Sequence, residues 1–167
     1  MSEHGDGAKK AGQTFLDAPA FAAILSPGAR LMGIDGGTKR IGLAISDVTR
    51  MIASPLATID RRKFTIDADE LLALAKRHDI GGLVLGLPSN LDGSQGPRAQ
   101  ATRAFARNLN AISALPILLW DERLTTVEAE RLLVAADASR KRRAEVIDRM
   151  AATLILQGAL DRLRSAA

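Results

Sequence analysis

Gly82-Leu83-Val84-Leu85-Gly86-Leu87-Pro88 is apolar from end to end, with no polar residue on either alternate face. Such a run reads as a strand covered on both faces of a sheet, and both-sided burial belongs to parallel pairing. On its C-terminal side, Pro97 suits a first helical position, and Ala101, Phe105, Leu109 and Ile112 form an apolar stripe after it. A second apolar strand follows, Pro116-Ile117-Leu118-Leu119-Trp120, ending in Asp121-Glu122. Strand–helix–strand of this kind needs a crossover connection. The class is therefore α/β.

On its N-terminal side, residues 67–78 turn helical, with Leu71, Leu72 and Ala75 on one face. Before them, Leu31-Met32-Gly33-Ile34 stops at Asp35, and Gly36-Gly37 supplies a turn into 41–45, which predicts a β-hairpin. Residues 52–59 are a weaker strand, which Pro55 assigns to a sheet edge. Thr125 with Glu128 fits a capping box for a helix reaching about Ala136. A last helix runs from about Ala144 to Leu163, after the basic stretch Arg140-Lys141-Arg142-Arg143. The expected fold is a mixed five-stranded sheet with helices on both faces, in one domain over residues 30–167. Residues 1–29 are expected to be a tail with a short helix near 16–25, ended by Pro27-Gly28. No internal repeat is present.

The 167 residues suit one domain with room for a tail. Cysteine is absent, which excludes disulfides, zinc–thiolate sites, iron–sulfur clusters and thiol nucleophiles. A net charge of +4 permits nucleic-acid contact without requiring it. Aromatics are 3 %, with no Tyr and one Trp, so stacking of bases on side chains is not expected. The first fifteen residues lack the apolar core of a signal peptide, and no run is long enough to span a membrane. A soluble cytoplasmic protein without membrane partners is the expectation.

Three acidic positions each end or interrupt something apolar. Asp35 closes the first strand and Asp121-Glu122 the last, where ligands of open α/β sheets bind. Strand-end acids are also common turn formers. Asp148 shares a helical stripe with Ala144, Ala151, Ala152 and Ile155, whereas Glu145, Arg149 and Gln157 form another, polar stripe. An acid on a packed face needs compensation, either from an arginine or from a divalent cation shared with the strand-end carboxylates. The alanines favour the cation, because they let a helix sit close over a site. Carboxylates without cysteine, and with His4 in the tail and His78 at a helix end, point to Mg²⁺ or Mn²⁺. Gly36-Gly37-Thr38-Lys39 resembles a phosphate-cradling turn, and Gly96-Pro97-Arg98 leads into a helix N-terminus that can hold an anion. Arg40, Arg61-Arg62-Lys63, Arg98, Arg103, Arg107 and residues 140–143 are candidates to line a phosphate path.

Gly33-Ile34-Asp35-Gly36-Gly37-Thr38-Lys39-Arg40-Ile41-Gly42 resembles the opening motif of the YqgF family, the RuvX-like pre-16S rRNA nucleases. Later blocks match in order: Val84-Leu85-Gly86-Leu87-Pro88 with Asn90, Asp92-Gly93-Ser94 and Gly96-Pro97-Arg98-Ala99. Then come Trp120-Asp121-Glu122-Arg123-Leu124-Thr125-Thr126 with Glu128-Ala129, and Asp148 before Ala151-Ala152. The resemblance spans about residues 30–163. It implies a ribonuclease H-like fold related to Holliday-junction resolvases, and maturation of the 5′ end of pre-16S rRNA. It implies catalytic acids at Asp35, Glu122 and Asp148, with Asp35, Asp121, Glu122 and Asp148 as ligands of Mg²⁺ or Mn²⁺. Related resolvases place an acid at the end of the strand that here reads Gly86-Leu87-Pro88, so the Asp121/Glu122 pair would supply that ligand, with Glu122 preferred. Lys39, Arg40, Arg98, Arg123, Arg140 and Lys141 would contact a structured RNA, in the first instance precursor ribosomal RNA, with monomer and homodimer both open. Two other readings are consistent with the residues. One is a non-catalytic nucleic-acid-binding or ribosome-assembly factor. The other is a sugar-kinase-like ATPase, whose phosphate motif is similar to Ile34-Asp35-Gly36-Gly37-Thr38-Lys39 but which pairs two such domains.

Overall fold

The computed structural model describes residues 12–88, 95–122 and 140–165. In chain order its elements are β1 (Thr14–Phe15), α1 (Ala18–Ala23), β2 (Arg30–Gly36), β3 (Arg40–Ser46), β4 (Ala53–Asp60) and α2 (Phe64–Arg77). There follow β5 (Ile80–Leu87), α3 (Pro97–Ile112), β6 (Ile117–Asp121) and α4 (Arg140–Ser165). One six-stranded sheet has the order β1-β6-β5-β2-β3-β4. The β2–β3 and β3–β4 pairs are antiparallel, and the β2–β5, β5–β6 and β6–β1 pairs are parallel. The mixed sheet is the one expected, with a strand more. That sixth strand is Thr14–Phe15, which pairs with Ile117 and Leu118. Two residues are too short to carry a period, so sequence patterning passes over them.

Both faces are covered. α2 and α3 bury Met32, Ile34, Leu83, Leu85, Ile117 and Leu119 on one side. α1 and α4 bury Leu31, Val84, Leu118 and Trp120 on the other. Alternation along β2, β5 and β6 therefore splits each strand between two cores, which is why these strands read as continuously apolar. Each large aliphatic side chain so buried contributes roughly 1.5–3 kcal/mol. β4 is the edge strand, as Pro55 requires.

Local signals set the ends of the helices. Asp17 caps α1 by accepting from the Ala20 N–H at 3.3 Å. α2 begins at Phe64, before the expected 67, because the buried Asp67 reaches back and accepts from the Arg62 N–H with both oxygens, at 3.0 and 3.2 Å. His78 stands at the C-cap of α2. In α3 the buried stripe is Ala99, Thr102, Phe105, Ala106 and Leu109, whereas Ala101 and Ile112 are exposed, contrary to the apolar pattern. Thr102 can turn inward because its hydroxyl donates to the Arg98 carbonyl at 3.0 Å. The capping box at Thr125 and Glu128 lies outside the described residues.

Glycines in the strands set the height of α4 above the sheet. A Cβ at Gly33 would stand 2.7 Å from the Leu156 Cβ and 2.8 Å from the Ala152 carbonyl oxygen. At Gly86 it would stand 2.5 Å from the Ile155 Cδ1, and at Gly42 only 2.0 Å from the Asp148 carbonyl oxygen. The helix backbone thus rests directly on β2 and β3, and the Ile155 side chain fills the space above Gly86 on β5. Gln157 then fastens α4 to the start of β4: its Oε1 accepts from the Ala53 N–H at 2.9 Å, and its Nε2 donates to the Met51 carbonyl at 3.0 Å. Gly42→Ala should cost about 2–4 kcal/mol in urea unfolding, since the obstacle is helix backbone and cannot rotate aside; a loss under about 0.5 kcal/mol would contradict this seating.

The β3–β4 connection is built on Asp47. Its carboxylate accepts from the Met51 and Ile52 N–H groups at 2.9 and 3.1 Å and from the Thr49 hydroxyl. These bonds, the Thr49 one foremost, lower its pKa from 3.8 to about 2. A depressed carboxylate stabilises the fold above its unfolded pKa, and that contribution disappears as pH falls through the folded value. In an NMR titration the Asp47 carboxyl is expected to titrate near pH 2. Asp47→Asn should remove its share of the stability lost between about pH 4 and pH 2.

Candidate active site

Asp35 is the penultimate residue of β2, and its cross-strand partner on β3 is Gly42. Since α4 rests on Gly42 through the Asp148 carbonyl, the register that seats the helix also brings Asp148 beside Asp35. Gly37 completes the approach: a Cβ there would lie 3.8 Å from the Asp148 Oδ1. Asp35, only 1 % exposed, and Asp148 line a single cleft of about 360 Å³ with Gly37, Thr38, Lys39, Arg40 and Arg98. Arg40 donates from Nε to the Asp148 Oδ2 at 3.0 Å, an ion pair with about a fifth of each side chain exposed. Arg40 is thus the arginine partner of Asp148. It engages one carboxylate oxygen and leaves the Gly37 side of the group to the cleft.

The acidic pair after β6 is divided. Glu122 sits against β5, its Oε1 2.9 Å from where a Cβ on Gly86 would be. Gly86 follows Leu85, the β5 partner of Ile34, so Glu122 stands one strand away from Asp35 on the α4 face. Asp121 instead lines a separate cavity of about 370 Å³ at the β1 edge, with Leu16, Asp17, Trp120, Arg103 and Arg162. Glu122 does not line the Asp35–Asp148 cleft, and no cluster of three metal-ligating side chains occurs among the described residues. The donors present are carboxylate oxygens, the ligand type of hard divalent cations.

A family model described as "RuvX: Holliday junction resolvase" matches residues 29–162. The chain belongs to the RuvX family. It is similar to a protein of Ruegeria pomeroyi named "Putative pre-16S rRNA nuclease", 59 % identical over 145 residues that cover 87 % of this chain and 94 % of that one. A protein of the same name from Paracoccus denitrificans is 61 % identical over 144 residues, covering 86 % and 91 %. Among solved structures, Thermus thermophilus RuvC superposes with a TM-score of 0.52 at 13 % identity, covering 81 % of this chain and 97 % of RuvC. Its complex with a Holliday junction substrate gives 0.50 at 14 % identity, covering 81 % and 96 %. The fold is that of RuvC.

The remaining candidates of this RuvX chain are scattered. Lys39, Arg40 and Arg98 reach the cleft; Arg98 is in the first turn of α3, after Gly96 and Pro97. Arg61 lies 5.7 Å over the Phe105 ring, and Arg103 donates to the Gln95 Oε1 at 2.8 Å and lines the other cavity. Arg140 and Lys141 occupy the first turn of α4. Arg123, Asn90 and Asp92-Gly93-Ser94 lie outside the described residues. Sequence reasoning missed Gly42 and Gly86 as parts of the site. The available signal was glycine inside a strand, which weakens the strand unless another backbone or a side chain must come close.

Proposed function

We propose that this chain is a divalent-metal-dependent nuclease that hydrolyses phosphodiester bonds of a structured RNA, maturing the 5′ end of pre-16S rRNA in the cytoplasm. The observation that carries the reading is the pairing of Asp35 and Asp148 in one cleft rimmed by Lys39, Arg40 and Arg98. Family membership and the names of the relatives support the substrate. Among the described residues, no helix is long and apolar enough to cross a membrane.

Asp35 and Asp148, which share the cleft, are the residues that would hold Mg²⁺ or Mn²⁺, with Glu122, one strand away, as a further ligand candidate and Asp121, facing the other cavity, the weaker one. Such a cation, when bound, supplies Lewis acidity and a water of lowered pKa. Asp35 offers a carboxylate fixed by burial in mid-sheet, so little side-chain entropy is lost on using it. Lys39 and Arg98 bind and orient the RNA backbone, reading phosphate positions rather than bases. With 3 % aromatics, substrate choice falls to RNA shape.

A second reading, a binding module that keeps the fold without cleaving, draws on the Arg40–Asp148 pair, which already neutralises one acid. The two separate on Mn²⁺: retained binding in Asp148→Ala, or none in the wild type, favours the module. For the nuclease, precursor and mature rRNA are incubated with and without Mg²⁺. Asp35→Asn should lower Mg²⁺-dependent cleavage on the order of 10²–10³-fold, the scale for losing a preorganised charge-stabilising group. Equal cleavage by clean preparations of both proteins would sink the proposal.

A further inference from the structure

Arg40 opens β3, and its cross-strand partner on the edge strand is Asp60, the last residue of β4. Cross-strand partners share a face, so Asp60 projects on the α4 side, as Arg40 does when it meets Asp148. Arg40 therefore stands between two carboxylates. One is Asp148, at 3.0 Å, on the cleft side. The other is the exposed Asp60, in a polar recess of about 270 Å³ that Arg40 lines together with Thr58 and Arg149. Arg40 is common to the cleft and the recess. The Thr58 hydroxyl in that recess is buried without a hydrogen-bond partner.

We propose that Arg40 is the internal counter-cation of the cleft: it holds Asp148 when no divalent cation is bound and yields toward Asp60 when one enters. This rests on the reading of the cleft as a divalent-cation site. A guanidinium and a divalent cation compete for the same carboxylate, because both draw on its one negative charge and repel each other a few ångströms apart. Arg40 is thus a positioning residue. It keeps Asp148 aimed, and it sets how much cation is needed to displace it. Asp60 supplies the alternative partner that makes displacement inexpensive, with Arg149 beside it as a rival for the same group.

The test is titration calorimetry with Mn²⁺ alone, on the full chain without RNA, with melting curves for each variant. Arg40→Gln should bind Mn²⁺ roughly tenfold more tightly than wild type, the scale for removing a nearby unit charge under partial screening. Arg40→Lys keeps the charge and should stay within about threefold of wild type. Asp60→Asn, an exposed change, should weaken Mn²⁺ binding severalfold by removing the alternative partner. Binding by Arg40→Gln that is unchanged or weaker overturns the proposal, as does wild-type affinity in Asp60→Asn. Should Arg40→Gln fail to fold, Arg40→Lys and Asp60→Asn still decide. Failure of the cation-site reading looks different: wild type takes up no Mn²⁺, or Asp35→Asn takes it up equally well, and both proposals then fall together.

Discussion

The packing of α4 onto strand glycines is the constraint on which the rest of this molecule depends. Helices ordinarily ride over a sheet on a layer of side chains. Here the Asp148 carbonyl occupies the space above Gly42 that a side chain would take, and Leu156 and Ile155 do the same above Gly33 and Gly86. The contact serves two ends at once. It removes the α4 face of the sheet from water with Leu156 and Leu160, fully buried, as a large part of the seal. It also delivers an acid from a helix to the strand end that carries Asp35. Core packing and site assembly are therefore one interaction, and a change that lifts the helix disturbs both.

Much of the fold was legible because burial leaves period and composition behind. β5 reads as covered on both sides, Pro55 marks the sheet edge, and Asp148 stands out as a charge among alanines. The less legible features follow from contacts between distant residues. Nothing in the chain singles out Arg40, among many basic residues, as the partner of Asp148; pairing them requires the β3 register and the α4 height together. The rotation of the α3 stripe toward Thr102 was hidden because a hydroxyl that bonds its own helix behaves as an apolar residue. β1 left no trace because its two residues acquire meaning only against β6.

Within the site, the acids were legible and their grouping was not. Asp121 and Glu122 are neighbours in the chain, yet alternation at a strand end sends them to different places, one to the cavity beside Trp120 and one to Gly86. The basic residues divide in a similar way. Lys39 and Arg98 come to the cleft from a hairpin turn and a helix start. Arg61 and Arg103, equally basic in the sequence, are engaged with Phe105 and Gln95. A count of positive charges therefore overstates the surface available to phosphate.

The pairing of β1 with β6 has a consequence for how the chain is made. Among the described strands, Thr14 and Phe15 leave the ribosome first, but Ile117 and Leu118 emerge only after all the others have been synthesised. That edge of the sheet therefore closes last during translation, because such distant contacts carry the largest loop-closure cost. Until β6 emerges, β5 has an open rim and β1 has no partner strand, and the nascent chain is at its most exposed to pairing with a neighbour.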